Sequence, residues 1–317
     1  MKYYIGVDLG GTNIAVGVTE ESGKMLMKHS VKTRADEGYE SVVTRMIEAV
    51  REVIRLSGIE GKNVAGVGVG VPGVVNNDTG EVLLAENLNW MKVPMAKDME
   101  RELGLPIIMG NDGDCAALGE MAFGNGRGLD NGILITIGTG IGSGIIIHRR
   151  VFCGATGAST EAGHMCLVYD GEECGCGNRG CFEAYASCTA LIKQTKRAME
   201  AEPDSYMNEL ARERGKVDGR TAFMAAKNGD KAAQDVIDRY TSYLATGIAA
   251  LVAIFRPQIV IIGGGVSNEG EPLLEPVNRK LQTLCYAHEV IAPPRIVQAK
   301  LGNDAGIIGA ALLCVND

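Results

Sequence analysis

Tyr3-Tyr4-Ile5-Gly6-Val7-Asp8-Leu9-Gly10-Gly11-Thr12-Asn13-Ile14-Ala15-Val16-Gly17-Val18-Thr19 reads as two β-rich runs, Tyr3 to Asp8 and Ile14 to Thr19. The glycine turn Leu9 to Asn13 joins them in the pattern of a β-hairpin. The pattern returns in mid-chain, where Ile133 to Ile137 and Ser143 to His148 flank Gly138-Thr139-Gly140-Ile141-Gly142. Two such hairpins predict an internally duplicated fold with one copy per domain. The length of 317 residues agrees with two domains at about 150 residues each.

Between and after the hairpins, strands alternate with helices. Val42, Val43, Met46, Ile47, Val50 and Ile54 recur at helical spacing, predicting a helix over Ser41 to Leu56. A buried strand follows at Val64 to Val71, then a helix at Ala96 to Leu103, a short strand at Ile107 to Met109 and a helix at Cys115 to Met121. In the second half Val236, Tyr240, Leu244, Ile248, Leu251 and Phe255 trace one face of a long helix. Strand Ile259 to Ile262, a helix near Leu273 to Leu284, strand Ile296 to Ala299 and a helix at Ile307 to Leu313 complete an α/β protein. Glu200 to Arg220 is polar and charged and is expected as a surface excursion.

Composition narrows the function. Apolar residues make up 46% and charged ones 22%, which excludes a disordered or fibrous chain. The 43 glycines are roughly twice the usual share of about 7% and lack a collagen period, so many tight turns or close backbone approaches are needed. A net charge of -8 argues against a polyanion as main partner, hence against nucleic acid. Met1 to Val7 is too short for a secretory apolar region, and the uncharged stretch Asn131 to Ile147 is too short and glycine-rich to span a membrane. The nine cysteines, odd in number, suit a reducing compartment, so a cytoplasmic location without membrane attachment is expected.

Phosphates bind to backbone N–H groups lining a concavity, and glycine lets the main chain approach them. Asp8-Leu9-Gly10-Gly11-Thr12-Asn13 supplies such a turn, with Asp8 able to hold magnesium through water. Gly138 to Gly142 offers a second cradle, and Gly263-Gly264-Gly265-Val266-Ser267 a third, at the end of a strand. No GxxxxGK[ST] occurs, which excludes a P-loop. Gly68, Gly70 and Gly73 match GxGxxG, but the turn Asn76 to Gly80 follows where a dinucleotide fold needs a helix.

Two further groups carry chemistry. Asn111-Asp112 lies between a strand and a helix; a carboxylate there either caps the helix, as Asp112 or Asp114, or accepts the proton of a substrate hydroxyl attacking a phosphate. The sequence leaves both open. His164, Cys174, Cys176 and Cys181 form a closed one-imidazole, three-thiolate zinc set with no place for activated water, hence a structural metal. Glu161 and Glu183 flank this set and are placed to be aimed at a polyhydroxylated ligand.

Together these residues resemble the ROK family of bacterial sugar kinases and repressors, nearly end to end. The anchors are Asp8 to Asn13, Val71-Pro72-Gly73, Asn111-Asp112, Gly138 to Gly142, Glu161-Ala162-Gly163-His164, Cys174 to Glu183, and Leu301 to Ala311 with Asp304-Ala305-Gly306. The cysteine block is the most specific, whereas the glycine turns are shared across actin-like ATPases. The resemblance implies an actin-like ATPase (ribonuclease H-like) fold, with a small domain of residues 1–112 plus 300–317, a large zinc-bearing domain of residues 113–299, and ATP and sugar in the cleft between them.

The implied activity is ATP-dependent phosphorylation of glucose at its 6-hydroxyl, a step of glycolysis, with Asp112 as general base. N-acetylmannosamine, allose or fructose are the alternative sugars. Gly73, Asn87, Asn111, Glu161, His164 and Glu183 would hold the sugar; Asp8, Gly10, Gly11, Thr12, Asn13, Gly138, Thr139, Gly140, Gly264 and Gly265 would hold ATP with Mg2+. Family repressors carry a DNA-binding segment ahead of the first glycine hairpin, which this sequence reaches at Asp8, so a repressor is the lesser reading. A homodimer or homotetramer is also implied. Gly124-Asn125-Gly126 and Gly302 to Gly306 are hinge candidates. Ala162 stands where members often have Ile, and the carboxylate of Asp114 beside the base departs from many of them.

Overall fold

The computed structural model describes residues 2–155 and 157–315. In chain order it contains β1 (Tyr3–Leu9), β2 (Asn13–Glu20), β3 (Met25–Lys32), α1 (Tyr39–Ser57), β4 (Val64–Val71), β5 (Val74–Asn76), β6 (Glu81–Ala85), β7 (Trp90–Val93), α2 (Met95–Leu103), β8 (Ile107–Asn111) and α3 (Asp112–Phe123). There follow β9 (Gly132–Ile137), β10 (Ile141–Ile147), β11 (Arg150–Val151), α4 (Glu183–Ala186), α5 (Cys188–Ala201), α6 (Tyr206–Arg214), α7 (Thr221–Lys227) and α8 (Lys231–Phe255). The last elements are β12 (Ile259–Gly263), α9 (Glu271–Leu284), β13 (Arg295–Gln298) and α10 (Asp304–Leu313).

The duplication is visible in strand order. One five-stranded sheet runs β3-β2-β1-β4-β8 and the other β11-β10-β9-β12-β13, so each hairpin occupies the same place in its sheet. In the first, β1 pairs antiparallel with β2 and parallel with β4, and β4 pairs parallel with β8. Asp8 lies opposite Gly70, and Gly70 opposite Gly110, so the turn after β1 and the residues after β8 emerge at the same edge of the sheet. A small third sheet, β5-β6-β7, completes the strands.

The chain forms two compact units, one of residues 1–134, 144–160 and 300–317, the other of residues 135–143 and 161–299. In the first, α1 packs on β2 and β3, while α10 packs on β1, β4 and α3. Gly68 makes that contact possible, because a Cβ there would collide with the carbonyl of Ala310 on α10. The GxGxxG match at Gly68, Gly70 and Gly73 is thus explained in part by helix packing, not by a dinucleotide. Trp90 belongs to this core: it is 4% exposed and meets the ring of Tyr39 edge-on at 5.2 Å.

In the second unit α8 buries Val236, Tyr240, Leu244, Ile248 and Leu251 along one face, as its periodicity predicts, and Asp230 caps it by accepting the Ala233 N–H at 2.8 Å. The segment Glu200 to Arg220 is not merely a surface excursion. It contains α6, where Met207 and Leu210 are buried at helical spacing. Two apolar residues among so many charges leave too weak a period to read.

The chain passes between the units at 134/135, 143/144, 160/161 and 299/300. Gly124-Asn125-Gly126, expected as a hinge, instead lies inside the first unit. The buried carboxylate of Glu120 takes the N–H groups of Asn125 (3.2 Å) and Leu301 (2.6 Å) and holds that turn. No helix among the described residues is long and apolar enough to cross a membrane.

Candidate functional site

In the first unit, the turn after β1 is closed by Gly10 N–H donating to the Asn13 carbonyl at 2.9 Å. Thr33, a residue without any signal in the sequence, braces it: the hydroxyl donates to the Gly10 carbonyl at 2.6 Å and its N–H to Thr12 at 2.9 Å. Asn87 sits exposed beside this turn on the one-turn helix Glu86–Leu88, its Cβ 4.0 Å from the side-chain position of Gly11.

The junction of β8 and α3 shows which residue caps the helix. Neither Asp112 nor Asp114 caps the helix. Asn111 does, because its backbone is still extended and its amide oxygen reaches the N–H groups of Gly113 (2.8 Å) and Asp114 (3.2 Å). Its amide nitrogen donates to the Gly73 carbonyl at 2.9 Å, which ties the Val71-Pro72-Gly73 turn to the helix start. Gly73 has φ +103°, and a Cβ there would collide with the Leu84 carbonyl, so the turn requires glycine.

Asp112 is therefore the first residue of α3, free of the capping role, and its Oδ1 accepts the Gly113 N–H at 2.8 Å. Burial raises its carboxyl above the ordinary range, against the lowering effect of that N–H. Asp8 is pushed up to about 6, first by burial and then by the charge of Asp112. The charge of Asp112 at the same sheet edge raises the proton affinity of Asp8, and a carboxylate so placed fits the magnesium role.

In the second unit, the Gly138 to Gly142 turn is closed by Gly138 N–H on the Gly140 carbonyl at 3.0 Å. Thr189 braces it as Thr33 braces the first, donating to the Thr139 carbonyl at 2.7 Å. The loop after β12 lies alongside, since the Gly264 backbone abuts the Ile137 carbonyl at the end of β9. Glu183, at the start of α4, accepts the Ile141 N–H at 2.8 Å, and its other oxygen is 3.7 Å from the Cys174 sulfur. One carboxylate thus joins the glycine turn to the cysteine cluster.

His164, Cys174, Cys176 and Cys181 converge, their ligand atoms all within 4.8 Å of one another. The pairs Cys174 Sγ to His164 Nδ1 and Cys176 Sγ to Cys181 Sγ are each 3.7 Å apart. Tetrahedral zinc with bonds of about 2.3 Å to sulfur requires sulfur separations of about 3.8 Å, so the cluster fits zinc. Glu161 opens the one-turn helix Ala162–His164 and is exposed, its carbonyl accepting the His164 N–H at 3.0 Å. Ser143, another residue the sequence did not single out, fastens this helix to β10 by accepting the Ala162 N–H at 3.1 Å.

The candidates therefore gather in two groups. Asp8, the Gly10 turn, Gly73, Asn87, Asn111 and Asp112 lie in the first unit; the Gly138 turn, Glu161, His164, Glu183, Gly264 and the cysteines lie in the second.

The ROK family profile matches residues 4–317. The chain belongs to the ROK family. A glucokinase from Streptomyces coelicolor is 37% identical over 314 residues, covering 98% of this chain and 97% of the relative. A xylose repressor from Caldicellulosiruptor bescii is 30% identical over 318 residues, covering 99% of this chain and 78% of the relative. Among solved structures, a ROK family glucokinase from Streptomyces griseus in complex with glucose and AMPPNP superposes with TM-score 0.84 at 36% identity, covering 99% of this chain and 100% of that one. The ROK fold is the actin-like ATPase fold, and the two matching sheets are its duplicated core.

Proposed function

We propose that this ROK protein transfers the γ-phosphoryl group of ATP to the 6-hydroxyl of glucose. It is an ATP-dependent hexose kinase, a class supported by full-length glucokinase relatives and by the likeness to a glucokinase that holds glucose and a nucleotide analogue. The observation that carries the mechanism is the capping of α3 by Asn111, which leaves the neighbouring carboxylate of Asp112 available for chemistry.

Asp112 acts as general base, taking the proton of the 6-hydroxyl as it attacks phosphorus. Burial gives it a higher proton affinity than a surface carboxylate, which favours proton acceptance. Asn111, Gly73, Asn87, Glu161, His164 and Glu183 orient the sugar hydroxyls. The Gly10 and Gly138 turns, with Thr12, Asn13 and Thr139, present donors to the phosphates, and Gly264-Gly265 lie at the adenosine. Asp8 would hold Mg2+, which would supply charge neutralisation at the phosphates. Zinc bound by His164, Cys174, Cys176 and Cys181 would hold Glu161, His164 and Glu183 in place.

The test is ADP release from magnesium-ATP with glucose, mannose, fructose, allose, N-acetylglucosamine and N-acetylmannosamine in parallel. Turnover strongest with glucose is expected. Turnover strongest with another hexose would keep the kinase and replace its substrate; no turnover with any of them would overturn the reading in favour of a non-catalytic sugar-binding role.

A further inference from the structure

Within the second unit, a cavity of about 470 Å³ opens among α4, α5 and α8, and none of the glycine turns or cysteine ligands lines it. One wall is aromatic: the rings of Tyr185 on α4 and Tyr243 on α8 are 4.7 Å apart and tilted by 44°. Gln194 on α5 also lines it. Its amide nitrogen donates to the Tyr185 carbonyl at 2.9 Å, which sets the orientation of the amide and leaves Oε1 as a buried acceptor without a partner among the described residues. Such an atom costs free energy unless a ligand or water donates to it.

The charges around the cavity are unevenly matched. Lys193 and Arg197 both hold Glu172, at 2.5 and 2.6 Å, and Lys231 holds Asp235. Arg239 lines the same cavity from α8 with no carboxylate partner among the described residues. The surroundings therefore call for an anionic oxygen at Arg239, a hydroxyl donor at Gln194 and a carbon face against the tyrosines.

We propose that this cavity is a binding site for a small phosphorylated sugar, its phosphate on Arg239 and a hydroxyl on Gln194 Oε1. Binding there is separate from the kinase reading; its effect on turnover rests on that reading. Tyr185 shares α4 with Glu183, and its hydroxyl oxygen accepts the Glu172 N–H at 2.7 Å in the zinc loop. Occupancy thus bears on the carboxylate that supports the Gly138 turn.

The experiment is calorimetric titration of the full chain with fructose 1,6-bisphosphate and with inorganic phosphate, repeated on Arg239→Gln and Gln194→Leu. Each variant is expected to bind the bisphosphate at least tenfold more weakly; Arg239 is exposed, so Arg239→Gln is expected to do so with an unchanged melting temperature. Inorganic phosphate should bind at least tenfold more weakly than the bisphosphate. Asp112→Asn should leave this binding unchanged while losing turnover, so failure of the kinase reading and of this one are separable. No binding at millimolar concentrations, equal binding by both variants, or phosphate binding as tightly as the bisphosphate would overturn the proposal.

Discussion

The amide of Asn111 reaches the carbonyl of Gly73 at 2.9 Å while its oxygen caps α3, so one side chain links two turns at the end of the first sheet. The two functions of this residue are separable by substitution. Asn111→Ala should destabilise the first unit by about 1–2 kcal/mol through the lost cap. Asn111→Ser retains a capping oxygen but cannot reach Gly73, so it should keep most of the stability while the sugar KM rises. Thermal melts and steady-state kinetics check both; equal melting temperatures for the alanine and serine variants would show that the cap is unimportant.

Asp112→Asn preserves size and hydrogen bonding but removes the proton acceptor. General-base assistance accounts for about 100- to 10,000-fold of rate, and kcat should fall on that scale while sugar affinity stays within a few fold. Single-turnover kinetics together with equilibrium sugar binding measure the two effects separately. An Asp112→Asn enzyme with ordinary kcat would remove the residue from the base role.

Asp8 sets a pH dependence of opposite sign to that of an ion-paired carboxylate. Its folded-state carboxyl titrates near 6 against an ordinary 3.8. Between those values the folded chain binds more protons than the unfolded one, so this contribution to stability is present below about 3.8 and lost as pH rises through about 6. At about 1.36 kcal/mol per pKa unit, the cost of the charged form at neutral pH is on the order of 2–3 kcal/mol. Without added metal, Asp8→Asn should melt several degrees above the natural chain at pH 7.5 and about a third of that margin above it at pH 4.5. A gain of the same size at both values would mean that the carboxyl is not perturbed.

The cysteine cluster predicts a stoichiometric metal. Purified protein should carry close to one zinc per chain, and Cys176→Ser or strong chelation should remove it and lower the melting temperature. Because Glu183 touches both Cys174 and the Gly138 turn, ATP affinity should weaken along with sugar affinity. A metal-free preparation with unchanged melting and full activity would exclude the structural role.

The sequence by itself determined the class of fold and much of the chemistry. Hairpin runs around Gly10-Gly11 and Gly138 to Gly142, the periodic face of α8 and the spacing of His164, Cys174, Cys176 and Cys181 are local patterns, set by a two- or 3.6-residue repeat or by the reach of neighbouring ligands. Tertiary structure alone decided what depends on groups far apart in the chain. Thr33 reaches Gly10, Thr189 reaches Thr139, Glu120 reaches Leu301 and Glu183 reaches Ile141 through folding, and no local pattern marks such partners. The choice of the residue that caps α3 belongs with these. Asn and Asp both cap helices well, so composition could not choose between adjacent residues; the backbone angles at Asn111 and its bond to Gly73 did.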